Sequence, residues 1–172
     1  MFFERNMKEN ESVSIDFLLW QLLHRSFGVA IKVRQKELDR YNVTIRQSAV
    51  LRVIIRIGER ATPAEIARQL FLEGNSISEQ LNRMEADGLV MRVKDLNRKN
   101  LVRIEVTQKG HRLYLKTLKQ QSIDQLMSVL TKEEKLELWS ILAKIRGQGI
   151  KKLSIRNLDL YPPSDPAKLE LL

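Results

Sequence analysis

From Ile15 to Leu38, apolar side chains return at Ile15, Leu18, Leu19, Leu22, Leu23, Phe27, Ala30 and Ile31, the spacing of a helix, and Phe17 and Trp20 add apolar surface on a second side. An apolar arc this wide needs two partners, and the expectation is the chain's own core and a second subunit. Thr44 and Gln47 make a capping-box pattern that opens a helix through Val50, Val53, Ile54 and Ile57, stopped near Gly58. Thr62, Pro63 and Glu65 open a shorter one carrying Ile66, Ala67 and Leu70. Glu73-Gly74-Asn75 reads as a break, because glycine takes a positive φ at low cost. Ser76 and Glu79 then repeat the capping box, and the next helix has its apolar stripe at Ile77, Leu81 and Met84. Asn75, Ser78, Glu79, Asn82 and Arg83 point away from that stripe.

After Gly88 the period changes from helix to strand. Leu89–Val93 reads as a strand and Asp95–Asn100 as a charged turn; in Leu101–Val106, Leu101, Arg103 and Glu105 alternate with Val102, Ile104 and Val106. Thr107 then caps a long helix through Leu113, Leu115, Leu118, Ile123, Leu126 and Leu130. Thr131 and Glu134 cap another, with Leu136, Trp139, Leu142 and Ile145, that ends among Gly147 and Gly149. These two are expected to pack as an antiparallel pair. Pro162, Pro163 and Pro166 interrupt the last segment, which reads as a tail laid on the surface or on a partner subunit. Two short capped helices followed by a hairpin make a winged helix-turn-helix. The predicted fold is therefore mainly α (α+β), a winged helix-turn-helix with a helical dimerisation layer from the N- and C-terminal helices. The expected divisions are residues 1–40 for an N-terminal dimerisation helix, 41–112 for the winged unit, 113–155 for C-terminal dimerisation helices and 156–172 for the tail.

Composition adds a partner class. The net charge is +9, and from Arg92 through Arg112 seven basic residues stand against two acidic ones, so more than half of the excess lies at the hairpin and just after it. A polyanion is the natural counterpart. With 172 residues and 43% hydrophobic content a core can form, and zero cysteines exclude disulfides and thiolate chemistry. There is no run of 18 apolar residues and no signal-peptide pattern at Met1, so a cytoplasmic protein with no membrane partner is expected. Catalytic constellations are missing: the phosphate-loop, dinucleotide and HExxH patterns do not occur. His24 and His111 read as structural or solvated, and Glu133-Glu134 fits the favourable dipole of a helix's first turn. The expectation is no enzyme, no metal and no cofactor.

The run Ser78-Glu79-Gln80-Leu81-Asn82-Arg83-Met84-Glu85 with Gly88-Leu89-Val90 resembles the recognition helix of the MarR family of dimeric winged-helix regulators. Asp95, Arg98, Lys99, Leu101-Val102-Arg103 and Thr107-Gln108-Lys109-Gly110 resemble its wing and the next helix. Asp95 and Arg98 stand one residue further apart than the family's usual wing pair. Glu79 sits where many relatives carry a basic or small residue. The resemblance covers roughly residues 14 to 150. It implies a homodimeric repressor on a double-stranded, pseudo-palindromic operator, with a recognition helix at about 75–87 in the major groove and a wing at about 92–106 at the minor groove. The expected DNA-binding residues are Thr62, Asn75, Ser76, Ser78, Glu79, Asn82, Arg83, Arg98 and Lys99. The resemblance also implies a small-molecule effector, phenolic or otherwise aromatic in many relatives, which no residue here identifies. The alternative is a winged-helix module that meets a protein or RNA without an operator of its own.

Overall fold

The computed structural model describes residues 13–94, 101–156 and 158–171. The chain opens with a long helix α1 (Ile15–Leu38), followed by α2 (Ile45–Ile57), α3 (Pro63–Leu70) and α4 (Gly74–Ala86). An antiparallel hairpin of β1 (Val90–Lys94) and β2 (Val102–Val106) comes next, then α5 (Gln108–Thr117), α6 (Gln121–Met127) and α7 (Lys132–Lys152). The fold is the mainly helical winged helix-turn-helix that the pattern predicts.

Local chemistry explains most of the helix starts. The Thr44 and Gln47 capping box forms in full ahead of α2, as does that of Thr131 and Glu134 ahead of α7. Thr62 caps α3 by accepting from the Glu65 N–H at 3.2 Å, but the Glu65 carboxylate turns to Arg68 and Gln69 rather than back to the cap. The core lies between α2, α3, α4 and the hairpin: Val50, Leu51, Ile54, Ile66, Ile77, Leu81, Met84, Leu89, Val90 and Ile104 are all buried. At about 1.5 to 3 kcal/mol per large side chain removed from water, this set holds the winged unit together. Hairpin register pairs Val90 with Val106 and Arg92 with Ile104. The Ile104 N–H also donates to the Ala61 carbonyl at 2.7 Å, which fastens the hairpin to the entrance of α3.

Three expectations are corrected. Ser76 does not cap α4, which begins two residues earlier at Gly74 after Glu73 and has no side-chain cap. The break is not made at Gly74 either; Phe71 takes the left-handed conformation at φ 54° and lets the Leu72 N–H close on the Ala67 carbonyl. The long helix after Thr107 is interrupted between α5 and α6. There Arg34 of α1 draws the Thr117 and Lys119 carbonyls to itself, the latter at 2.7 Å, and pairs with Glu37, which accepts from the Ser122 N–H at 3.2 Å. Carbonyls bound to a guanidinium are lost to the helix ladder, so the helix stops there.

The terminal segment lies on its own chain. Arg68 donates to the Arg156 carbonyl at 2.7 Å, Asp159 pairs with Arg60 at 3.2 Å, and the Arg56 guanidinium sits 5.2 Å from the Tyr161 ring centre. Trp139 of α7 donates to the Ser164 carbonyl at 3.2 Å.

Candidate nucleic-acid interface

Helix α4 divides by side. Ile77, Leu81 and Met84 face inward and are buried, while Asn75, Ser78, Glu79, Asn82 and Arg83 are exposed on the outer side. The 3.6-residue repeat makes this division. The Ser78 hydroxyl donates back to the Gly74 carbonyl at 2.9 Å, a bond internal to the helix. Arg83 and Glu79 form an exposed i,i+4 pair at 3.3 Å. Such pairs are worth ~0 to 1 kcal/mol, so this one opens readily for a stronger partner.

Two bases missed as site residues in the sequence complete the surface. Arg46, in the first turn of α2, donates to the Ser76 hydroxyl at 3.2 Å and brings a cation to the start of α4. Arg92 of β1 donates to Asn82 Oδ1 at 2.7 Å and pairs with Glu85, while its backbone N–H reaches a Glu85 carboxylate oxygen at 3.1 Å. Arg92 therefore ties the wing's stem to α4. No local signal shows the Arg46 contact, which spans 30 positions; Arg92 is legible as a wing base but not as a partner of Asn82.

Thr62 sits at the other helix entrance, half-buried, with its hydroxyl oxygen engaged in the cap. Arg98 and Lys99, with Asp95, lie outside the described residues. Behind the wing, Thr107 donates to the Gly88 carbonyl at 2.7 Å and accepts from the Gly110 N–H at 3.1 Å, and Lys109 reaches the Asp87 carbonyl at 2.6 Å. His24 is exposed and stacks on Trp20 with ring centres 5.8 Å apart, and His111 is also exposed. Among the described residues no group of three or more His, Asp or Glu side chains is placed to hold a metal ion, and no helix is long and apolar enough to cross a membrane.

Residues 41–95, from the approach to α2 through β1, match the family model described as the MarR family. An HTH-type transcriptional regulator of Bacillus cereus (strain ATCC 10987) is 28% identical over 149 residues, spanning 85% of this chain and 97% of the relative. The chain is similar to MarR-family regulators. It is a transcription regulator with a DNA-binding winged helix, and the relatives it matches are regulators rather than enzymes. Among solved structures, the chain is similar to the organohalide-sensing regulator RdhR-CbdbA1625 in its 2,4-dichlorophenol-bound form. The TM-score is 0.80 with 28% identity over 92% of this chain and 96% of that one. A mutant of MarR from E. coli, complexed with operator DNA, shares the fold at TM-score 0.72 and 23% identity, covering 79% of this chain and 99% of that one.

Proposed function

We propose that this MarR-family regulator works as a homodimeric repressor on a pseudo-palindromic operator, with α4 in the major groove and the basic wing, about residues 92–106, at the minor groove. The observation that carries the reading is the split of α4 into a buried apolar stripe and an exposed face of short amides, hydroxyls and an arginine beside the hairpin. Asn75, Ser78, Asn82 and Arg83 suit base edges and phosphates, and Glu79 suits a cytosine amino group. Thr62 and Ser76, at the two helix entrances, are assigned to the phosphate backbone, with Arg46 beside Ser76. Arg98 and Lys99 are assigned to the minor groove and its phosphates.

Residues 1–40 and 113–155 form the dimerisation layer in this reading. Trp20 is 60% and Phe27 64% exposed in the single chain, and Leu22 on α1 and Leu142 and Ile145 on α7 are exposed with them. A monomer in water rarely leaves this many large apolar side chains wet. Two-fold symmetry then sets the half-sites about one helical turn apart, ~10 to 11 bp.

A cavity of about 570 Å³ between α2, α5 and the terminal segment, lined by Arg52, Arg56, Tyr114, Leu118, Tyr161 and Lys168, is assigned to a small-molecule effector. Its aromatic and cationic walls suit a phenol or an aromatic acid. The 2,4-dichlorophenol in the neighbouring regulator supports that class. The test is a nuclease footprint upstream of the protein's own gene. Two protected half-sites one turn apart, overlapping the promoter and released by 2,4-dichlorophenol as the probe, are the expected result; uniform or absent protection contradicts the operator reading.

A further inference from the structure

Arg92 occupies a position where the hairpin's alternation calls for an apolar residue. It is paired with Ile104 and lies two residues from Val90, and both of those are buried. Side chains of a cross-strand pair stand on the same face of the sheet, so Arg92 stands on the face turned toward the core. Its guanidinium is partly exposed and lies across the outer turn of α4, held between Glu85 and Asn82. Glu85 offsets the charge and orients the fork. The remaining partner is Asn82, the exposed amide at the middle of the recognition helix.

The chemistry of that contact fixes what Asn82 can offer. A guanidinium has donors and no acceptor, so the Asn82 atom at 2.7 Å from Arg92 is the carbonyl oxygen and not the amide nitrogen. The amide cannot flip without placing N–H against N–H. A free asparagine grips adenine by donating to N7 and accepting from the N6 amino group. With a cation seated on one of the two Oδ1 lone pairs, an incoming N–H donor must share the oxygen with the guanidinium and meets an electropositive amide end. The Asn82 amino group and the unused guanidinium N–H groups together present several donors against one shared acceptor, Oδ1. In the major groove, guanine offers two adjacent acceptors, N7 and O6, and no donor.

We infer that Arg92 is a positioning and specificity-determining residue: by engaging Asn82 Oδ1 it shifts the preference of the α4 amide from adenine toward guanine. This rests on the reading that α4 enters the major groove.

The experiment is binding-site selection from a randomised duplex library with the full chain, in four forms: wild type, Asn82→Ala, Arg92→Met and Arg92→Lys, each checked for its melting temperature. Methionine keeps the length of the stem and removes every donor; lysine keeps a donor for Oδ1. Wild type is expected to select guanine at one half-site position, and Asn82→Ala to lose preference there. Arg92→Met should shift that position toward adenine by about tenfold relative to wild type, with the other positions unchanged, and Arg92→Lys should keep guanine. If Arg92→Met still selects guanine while Asn82→Ala loses it, Arg92 does not set the chemistry and the inference is overturned. Weakening of all sequences alike by Arg92→Met, with a lower salt slope, assigns Arg92 to a phosphate and overturns it too. A wild-type chain that selects no sequence overturns the operator reading itself, and an unchanged profile in Asn82→Ala removes Asn82 from the readers.

Discussion

Gly110, in the first turn of α5, is packed so closely on the base of the wing that a Cβ there would stand 2.1 Å from the Leu89 carbonyl oxygen and 2.7 Å from Val106 Cγ1. Helix propensity alone favours alanine in a helix interior by about 1 kcal/mol. Contact with a fixed backbone carbonyl reverses the sign. Gly110→Ala should cost about 3 kcal/mol and lower the melting temperature by roughly 6 to 12 °C, because α5 and the hairpin must separate. A melting temperature equal to or above wild type in a calorimetric scan contradicts this packing.

Where the determinants are local, the sequence is legible. The boxes at Thr44 and Thr131 need only residues three apart, and both form; the Ile77, Leu81, Met84 stripe needs only the helical period. The Ser76 box has equally good local credentials and does not form, because Arg46 takes the serine hydroxyl from 30 residues away and Glu79 turns to Arg83. The break after Thr117 is set by Arg34, 83 residues earlier, and no periodicity in the intervening chain announces it. Phe71 carries a positive φ that composition would assign to Gly74. The outer face of α4 was readable as a face, whereas the contact between Arg92 and Asn82 depends on how the hairpin lies over the helix.

Glu37 gives the molecule an acid-sensitive joint. Burial pushes its carboxyl up, but hydrogen bonds from the Ser122 hydroxyl, from Arg34 and from the Ser122 N–H outweigh burial and hold it below the ordinary carboxylate range. A carboxyl lowered in the folded state contributes stability above its unfolded value of about 4.3, and that contribution is lost as pH falls through the folded value. Glu37→Gln should cost about 3 kcal/mol near neutrality, by leaving the buried Arg34 charge unpaired, and should flatten the fall in stability below about pH 4. Parallel stability profiles for the two proteins over that acid range contradict the assignment.

The proposed dimer layer predicts concentration dependence. An association that hides α1 and α7 makes the melting temperature rise with chain concentration. Leu22→Asp with Leu142→Asp should abolish that rise and give a monomer in sedimentation. A wild-type chain that sediments as a monomer at micromolar concentration contradicts the layer.

The two wing bases should separate by mechanism. Arg98→Ala, removing a side chain assigned to the groove, should weaken operator binding by about 1 to 3 kcal/mol and leave folding unchanged. Lys99→Ala, assigned to phosphate, should weaken all sequences alike and lower the salt slope by about one unit. An unchanged affinity and salt slope in the double variant would take the wing off the DNA and favour a module that meets protein or RNA.

The most direct test of sequence-specific, two-fold operator recognition is a competition titration at fixed salt between the footprinted or selected duplex and the same duplex with its bases scrambled. The account predicts two chains per duplex and a preference of about a thousandfold or more for the operator. Equal affinity for the two duplexes, or one chain bound per site, contradicts it.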